Sequence, residues 1–136
     1  MTKDLWLNLP VIDLARSVAF YEALGFRRNT GPGNTEISAS FVVGDKKVVL
    51  MLFVNKVFAG FVGGKIADTR LGSEMLISIG AGSMAEVDDM AHRARAGGGS
   101  VFSEPRSTEG AMYGCGLCDP DGHRWNVLFM GGSQAA

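Results

Sequence analysis

The chain repeats one pattern twice, a strand and a helix followed by three further strands, at an offset of about 70 residues. In the first copy, residues 5–11 alternate between two faces, one of them wholly aliphatic, which is typical of a half-buried strand. Asp13 can cap the helix that follows, and Gly25 can end it. Three apolar stretches separated by turn sequences come next, at residues 26–28, 37–43 and 48–54.

The second copy begins with the same alternation over residues 74–79, where apolar side chains recur at every second position. Ser83 can cap its helix, and three glycines at 97–99 can end it. The last two strands are joined by residues 119–122, Asp-Pro-Asp-Gly, in which Pro fixes φ and Gly accepts a positive φ. The three strands of this copy are expected at residues 100–103, 111–118 and 124–130.

This duplication predicts an α+β fold built from two βαβββ repeats. Of the 136 residues, 46% are apolar, which is enough to form a core without disulfides or metals. We therefore expect one domain over residues 1–136, with an N-terminal repeat at about 1–55 and a C-terminal repeat at about 73–130. Residues 56–72 are interpreted as a connecting loop with a helical turn.

Charge and hydropathy exclude several classes of partner. The 13 basic and 14 acidic residues are interspersed, so no basic stripe is present for nucleic acid. The apolar run at 48–54 is strand-sized, far below the ~20 residues that cross a bilayer, and residues 1–10 do not resemble a secretion signal. Two cysteines without a disulfide framework favour a reducing compartment. We expect a cytoplasmic protein with no nucleic-acid or membrane partner.

Two short motifs suggest other chemistry. Residues 80–85, Gly-Ala-Gly-Ser-Met-Ala, satisfy a dinucleotide fingerprint with Glu104 near the ribose-binding position, so a nucleotide-binding oxidoreductase is one alternative. Against it, only about 30 residues follow Glu104, too few for the second half of a doubly wound sheet. Cys115 and Cys118 have C-x-x-C spacing, but in a strand they point to opposite faces, so we expect neither a disulfide nor a zinc site.

Two longer motifs resemble a known family. The segment LPVIDLARSVAFYEALGF, residues 9–26, looks like the opening strand and helix of the glyoxalase/bleomycin-resistance/extradiol-dioxygenase (vicinal oxygen chelate) superfamily. The segment DPDGHRWNVLFM, residues 119–130, looks like its closing hairpin. The resemblance covers essentially the whole chain. It implies that the two βαβββ repeats form a curved mixed sheet around a cavity, and it does not by itself imply a reaction.

The resemblance also implies where a metal ion would bind. Enzymes of the superfamily hold one divalent metal with His, Gln or Glu on four strands, and those four positions fall here on Trp6, Met51, Leu76 and Asn126, with Glu74 as a shifted alternative to Leu76. These residues offer at most one carboxylate. We therefore expect no cofactor and a degenerate metal site, with a divalent metal bound through Glu74 as the alternative. The two histidines, His92 and His123, are interpreted as surface residues.

Without the metal, the resemblance leaves an apolar cup as the candidate site. The strand parity that we assign puts seven residues on its walls: Trp6, Asn8, Met51, Phe53, Tyr113, Cys115 and Asn126. Phe58 and Phe61 of the connecting loop are further candidates. Alternatively, Trp6 and Phe53 fill the cup as core. Glu74 is the one candidate general base near the mouth, the alternative being a solvated side chain.

Three functions follow as expectations. The first is a protein that binds a small amphipathic molecule in the cup. The second is an enzyme similar to lactoylglutathione lyase or to a dioxygenase, with weak or no metal dependence, and the third is a partner-binding scaffold. Because the half-sheets would leave uncovered edges and relatives with this fold pair their chains, we expect a homodimer.

Overall fold

A computed structural model describes residues 1–131 of the chain. These residues form two compact units, unit 1 from Met1 to Asp68 and unit 2 beginning at Thr69. Each unit contains the predicted strand, helix and three further strands, so the α+β class with two βαβββ repeats is confirmed. The expectation of one domain over 1–136 stays a prediction, and residues 132–136 lie outside the described residues.

Unit 1 is a four-stranded mixed sheet, sheet 1, with a helix on one face. Its elements are β1 (Trp6–Val11), α1 (Leu14–Leu24), β2 (Arg27–Arg28), β3 (Ser38–Val43), β4 (Val48–Val54) and α2 (Asn55–Val62). The strand order is β1-β4-β3-β2, with β1 parallel to β4 and the other pairs antiparallel. Buried aliphatic residues of β1 and β4 alternate with more exposed ones, so one face of the sheet lies in the core.

Helix α1 begins and ends where the sequence predicts. The Asp13 carboxylate accepts a hydrogen bond from the backbone N–H of Arg16 at 3.0 Å, which satisfies one of the N–H groups at the helix start. Gly25 ends the helix at φ 101°, a left-handed conformation that costs glycine little. Phe20 and Tyr21 on this helix are fully buried, and the Tyr21 ring lies 5.8 Å from that of Phe41 on β3.

Unit 2 repeats this architecture around sheet 2. Its elements are β5 (Leu76–Gly80), α3 (Met84–Ala96), β6 (Ser100–Ser107), β7 (Met112–Cys118) and β8 (Arg124–Met130). The strand order is β5-β8-β7-β6, again with the first pair parallel and the others antiparallel. Trp125, Val127 and Leu117 are fully buried and form the core with α3.

The topology of unit 2 contradicts the nucleotide-binding alternative. A dinucleotide fold requires the strand after the glycine-rich helix to lie parallel and next to the first strand. Here β6, which carries Glu104, is at the opposite edge of the sheet from β5 and antiparallel to β7. The N–H groups at the helix start are also occupied, because Glu86 accepts from Gly82 N while Ser83 accepts from Glu86 N.

The connecting segment is more ordered than predicted, since residues 55–62 form the helix α2. The sequence contains a signal for this helix, because the i, i+3, i+4 spacing of an amphipathic helix is present at Phe58, Phe61 and Val62. Strand β6 is longer than expected because two irregularities, one next to Phe102, let it continue to Ser107. Within the described residues, no helix is long and apolar enough to cross a membrane.

Candidate small-molecule site

The face of sheet 1 opposite α1, here called open face 1, carries four of the predicted site residues. Trp6 and Asn8 point to it from β1, and Met51 and Phe53 point to it from β4. In the strand register, Asn8 pairs with Met51, which pairs in turn with Ser40 of β3. Paired residues share a face, so the predicted two-faced character of β1 is confirmed.

A folded loop covers the β3 side of open face 1. Asn34 accepts hydrogen bonds from Ser40 N at 3.0 Å and from Arg28 at 2.9 Å, and it donates to the carbonyl of Asn29 at 2.7 Å. Gly33 is pressed onto the sheet, because a Cβ built there would lie 3.2 Å from Ser40 Cβ and 3.3 Å from Met51 Cε. The loop therefore closes the face over β3 and leaves it open over β1.

Helix α2 forms the other wall of this opening. It follows β4 without a break and contacts both β1 and β4, which brings the Phe61 ring to 5.0 Å from the Phe53 ring at an interplanar angle of 84°. Such edge-to-face pairs are favourable for aromatic rings. The result is a cleft of about 430 Å³, here called the α2 cleft, which is lined by Asn8, Phe53, Phe58, Phe61 and Val62.

The polar and apolar groups of the α2 cleft suit a small amphipathic ligand. Its walls are aromatic and aliphatic, and the Phe61 side chain is 67% exposed. Asn8 is exposed, and its carboxamide has no side-chain hydrogen bond to any of the residues that the structure describes. An apolar cleft with a single available amide is typical of a site that orients a ligand by one polar group.

Tyr113 and Cys115 of β7, which were predicted to line the cup, lie instead on the face of sheet 2 that packs against α3. The Cys115 thiol is directed to the carbonyl of Val87 on α3, and the Tyr113 hydroxyl donates to Asp88 on the same helix at 2.6 Å. Asn126 pairs with Gly116, so it lies on the opposite face, here called open face 2. The shared parity that we assigned to Tyr113, Cys115 and Asn126 was therefore wrong.

The Cys115 thiol and the Tyr113 hydroxyl are both unreactive in this position. Burial and nearby acidic residues raise the pKa of the Cys115 thiol to about 11, so it is protonated at neutral pH and is a poor nucleophile. The hydrogen bond to Asp88 raises the pKa of Tyr113 above its ordinary value, because the carboxylate accepts a hydrogen bond from the protonated phenol and stabilises that form. Cys115 and Cys118 are both free thiols.

The four positions that the resemblance assigns to a metal fall on equivalent places in the two sheets. Trp6 pairs with Val49, two residues before Met51, and Leu76 pairs with Arg124, two residues before Asn126. In each unit, two of the four residues therefore lie on neighbouring parallel strands, β1 and β4 or β5 and β8, and are offset by two positions in the register. Equivalent spacing in both repeats supports the alignment of the chain with the family's pattern.

The donor chemistry at these four positions does not fit a divalent cation. Trp6 offers an N–H donor, Met51 a soft thioether and Leu76 no donor at all, which leaves the neutral carbonyl of Asn126. Glu74 is exposed and precedes β5 by two residues, and His92 is exposed on α3. His123 is half-buried, with its backbone N–H donating to Asp119 at 2.9 Å. Over residues 1–131, no three His, Cys, Asp or Glu side chains are grouped as metal ligands.

The sequence analysis missed the aromatic residue that covers open face 2. The Phe102 ring lies over Gly116, where a built Cβ would come within 2.4 Å of the ring. The Arg124 guanidinium lies over the same ring, 4.4 Å from its centroid. Glycines at 114 and 116 in a strand were the available signal, since glycine in a strand often marks the close approach of another group.

Comparisons with known proteins agree with this architecture. The family model described as Glyoxalase/Bleomycin resistance protein/Dioxygenase superfamily matches residues 5–127. The chain is 32% identical to a hypothetical protein from S. aureus, with a TM-score of 0.83 and 95% of each chain covered. A comparison with curated protein sequences gives no match.

Two further structures share the fold at lower identity. A glyoxalase-related enzyme from Fulvimarina pelagi is 20% identical, with a TM-score of 0.79, covering 95% of this chain and 88% of that one. A lactoylglutathione lyase from Agrobacterium tumefaciens is also 20% identical, with a TM-score of 0.64, covering 95% of this chain and 94% of that one. At this identity the likeness concerns the fold alone, and the reaction has to be argued from the site.

Proposed function

The chain belongs to the glyoxalase/bleomycin resistance protein/dioxygenase superfamily, and from this premise we propose that it binds a small amphipathic molecule in the α2 cleft without a metal ion. The observation that carries the proposal is the cleft itself. Aromatic side chains of β4 and α2 line it, and they leave one amide, that of Asn8, available to a ligand. A buried site built only for packing would have its large side chains covered and its polar groups paired.

The mode of binding follows from the two kinds of group. The planar apolar part of a ligand would lie against the Phe53 and Phe61 rings, where burial of apolar surface supplies most of the free energy. A hydroxyl or carbonyl of the ligand would meet the Asn8 carboxamide, which both donates and accepts hydrogen bonds. The ligand is therefore a small ring compound with one polar substituent near an edge.

Loss of the metal is part of the proposal and rests on ligand chemistry. Trp6, Met51, Leu76 and Asn126 together provide no charged donor, and an ion held by one neutral carbonyl would keep its water. Glu74 is exposed in the segment before β5, where no neighbouring basic group pairs with it among the described residues. We assign no catalytic role to Glu74 and derive no reaction through a metal.

The remaining expectations concern assembly and compartment. Large apolar side chains on either side of the edge strand β1, those of Leu5 and Ile12, are exposed, which favours a homodimer that covers them. Sedimentation equilibrium should give twice the chain mass, and a monomer mass at micromolar concentration would refute this.

Two free buried thiols favour the cytoplasm. Fractionation that finds the protein outside the cytosol would contradict that assignment.

Removal of the Phe61 ring should weaken binding with little effect on folding. We expect Phe61→Ala to raise the Kd of 2-naphthol, an amphipathic ring probe, about five- to tenfold, because one aromatic wall of the cleft is lost. The exposed position of Phe61 keeps the change in unfolding free energy within about 0.5 kcal/mol. Isothermal titration calorimetry measures the Kd, and thermal unfolding measures the stability.

The matched control is Ile12→Ala, which removes another exposed apolar side chain of unit 1 outside the cleft lining. It should leave the Kd of 2-naphthol unchanged. Asn8→Leu should weaken 2-naphthol and strengthen or preserve binding of naphthalene, since only the former has a hydroxyl. Equal losses in Phe61→Ala and Ile12→Ala, or no effect of either, would show that the ligand binds elsewhere.

A further inference from the structure

A half-buried guanidinium on open face 2 has no carboxylate partner. Arg124 begins β8, and among the described residues no ion pair or side-chain hydrogen bond involves it. Two other arginines of unit 2 are paired, Arg93 with Asp89 at 2.8 Å and Arg95 with Glu104, whereas Arg106, unpaired among the described residues, is exposed. A partly desolvated positive charge that the fold leaves unpaired is available to an anionic ligand.

The Arg124 side chain is held in position by an aromatic ring. Its guanidinium lies 4.4 Å from the centroid of Phe102, within the range of a cation–π contact. Phe102 is held in turn, because it sits at an irregularity of β6 and its ring occupies the space above Gly116 that a Cβ would fill. The ring remains 44% exposed. This contact restrains the guanidinium over the ring and leaves its N–H groups for a partner.

Polar residues lie beside Arg124 on open face 2. Asn126 and Ser78 pair with each other and lie on the same face, two residues along from Arg124 on its strand pair. The carboxamide of Asn126 makes no side-chain hydrogen bond within the described part of the chain. In unit 1 the position equivalent to Arg124 is Val49, which pairs with Trp6 as Arg124 pairs with Leu76, so the charge is a feature of the second repeat only.

We propose that open face 2 holds an anion subsite, in which the Arg124 guanidinium stacked on Phe102 binds a carboxylate or phosphate group of a small ligand and Asn126 donates to one of its oxygens. A guanidinium offers two parallel N–H groups that match the paired oxygens of such anions. The inference goes beyond the proposed function, because it rests on residues of unit 2 alone.

The experiment compares anionic and neutral ring probes. 2-Naphthoate and 2-naphthyl phosphate should each bind at open face 2 of the unmodified protein, where 2-naphthol should not bind, and the tighter of the two identifies the preferred anion. Arg124→Gln should weaken the anions at least about tenfold, since a hydrogen bond to a charged group is lost, and should leave 2-naphthol unchanged. Backbone amide shifts in two-dimensional NMR should cluster at Gly116 and residues 124–126.

Matched variants separate this role from charge or folding effects. Arg106→Gln removes an equal charge from the same face, where Arg106 pairs with Gly114 and contacts no aromatic ring among the described residues, and it should leave anion binding nearly unchanged. Arg124→Lys keeps the charge but loses the planar stack, and Phe102→Leu removes the ring, so each should weaken the anions about two- to fivefold. Similar losses in Arg106→Gln and Arg124→Gln, or anions that do not shift the amides of Gly116 and residues 124–126, would overturn the subsite without bearing on the α2 cleft.

Discussion

Trp125→Ala is expected to lower the free energy of unfolding by about 3 to 5 kcal/mol and the Tm by on the order of 10 °C. The side chain is fully buried on β8, on the face of sheet 2 that packs against α3. It pairs with Leu117, which is also fully buried, so truncation leaves a cavity that the strand pair cannot close. Chemical and thermal unfolding measure the loss.

The control for this truncation is Trp125→Phe, which keeps most of the apolar volume and should cost much less. Ligand binding should change little in either variant at temperatures where the protein stays folded, because Trp125 faces α3 rather than open face 2 and the α2 cleft lies wholly in unit 1. A loss below about 1 kcal/mol in Trp125→Ala would mean that the core of unit 2 is not packed as described.

The second tryptophan should behave in the opposite way. Trp6→Ala is expected to change the unfolding free energy by no more than about 0.5 kcal/mol while raising the Kd of 2-naphthol about two- to fivefold. The indole is 62% exposed on open face 1, two residues before Asn8 on the same face of β1, so it extends the apolar surface beside the α2 cleft. A large, rigid aromatic group in that place contributes binding area at a small entropic cost.

Trp6→Phe is the graded control, and it should retain part of the affinity because a ring remains. The competing interpretation is that Trp6 fills the core. In that case Trp6→Ala would cost several kcal/mol of stability and leave the Kd unchanged, which calorimetry and thermal unfolding on the same samples distinguish.

The sequence predicts the elements of this fold well because their signals are local. Alternation over β1 and β5 and the caps at Asp13 and Ser83 place two strands and two helices close to their observed bounds. The face of β1 is also predicted correctly, since its aliphatic residues can only be the buried ones. These features depend on neighbours within a few residues of each other.

The site is predicted less well because it depends on the register between strands, which determines the residues that share a face of the sheet. Alternation shows that β7 has two faces, but it does not show which residues of β7 share a face with Asn126 of β8. The register pairs Asn126 with Gly116. The large side chains of β7 are the core residues and its glycines face the other way, so Tyr113 and Cys115 were assigned to the wrong face. The contact of Phe102 with Arg124 depends on an irregularity in β6 that no local pattern predicts.

The central claim, binding of a small molecule without a metal ion, is tested most directly by titrating 2-naphthol into chelator-treated protein and again after addition of Zn²⁺, Ni²⁺ or Mn²⁺. We predict the same Kd within a factor of about two in every case, and no shift of the melting curve with metal alone, although a metal at a hundred times its Kd would stabilise the fold by about 2.7 kcal/mol. Binding that appears only with one metal, together with a rise in Tm that Asn126→Ala or Glu74→Ala abolishes, would contradict the account.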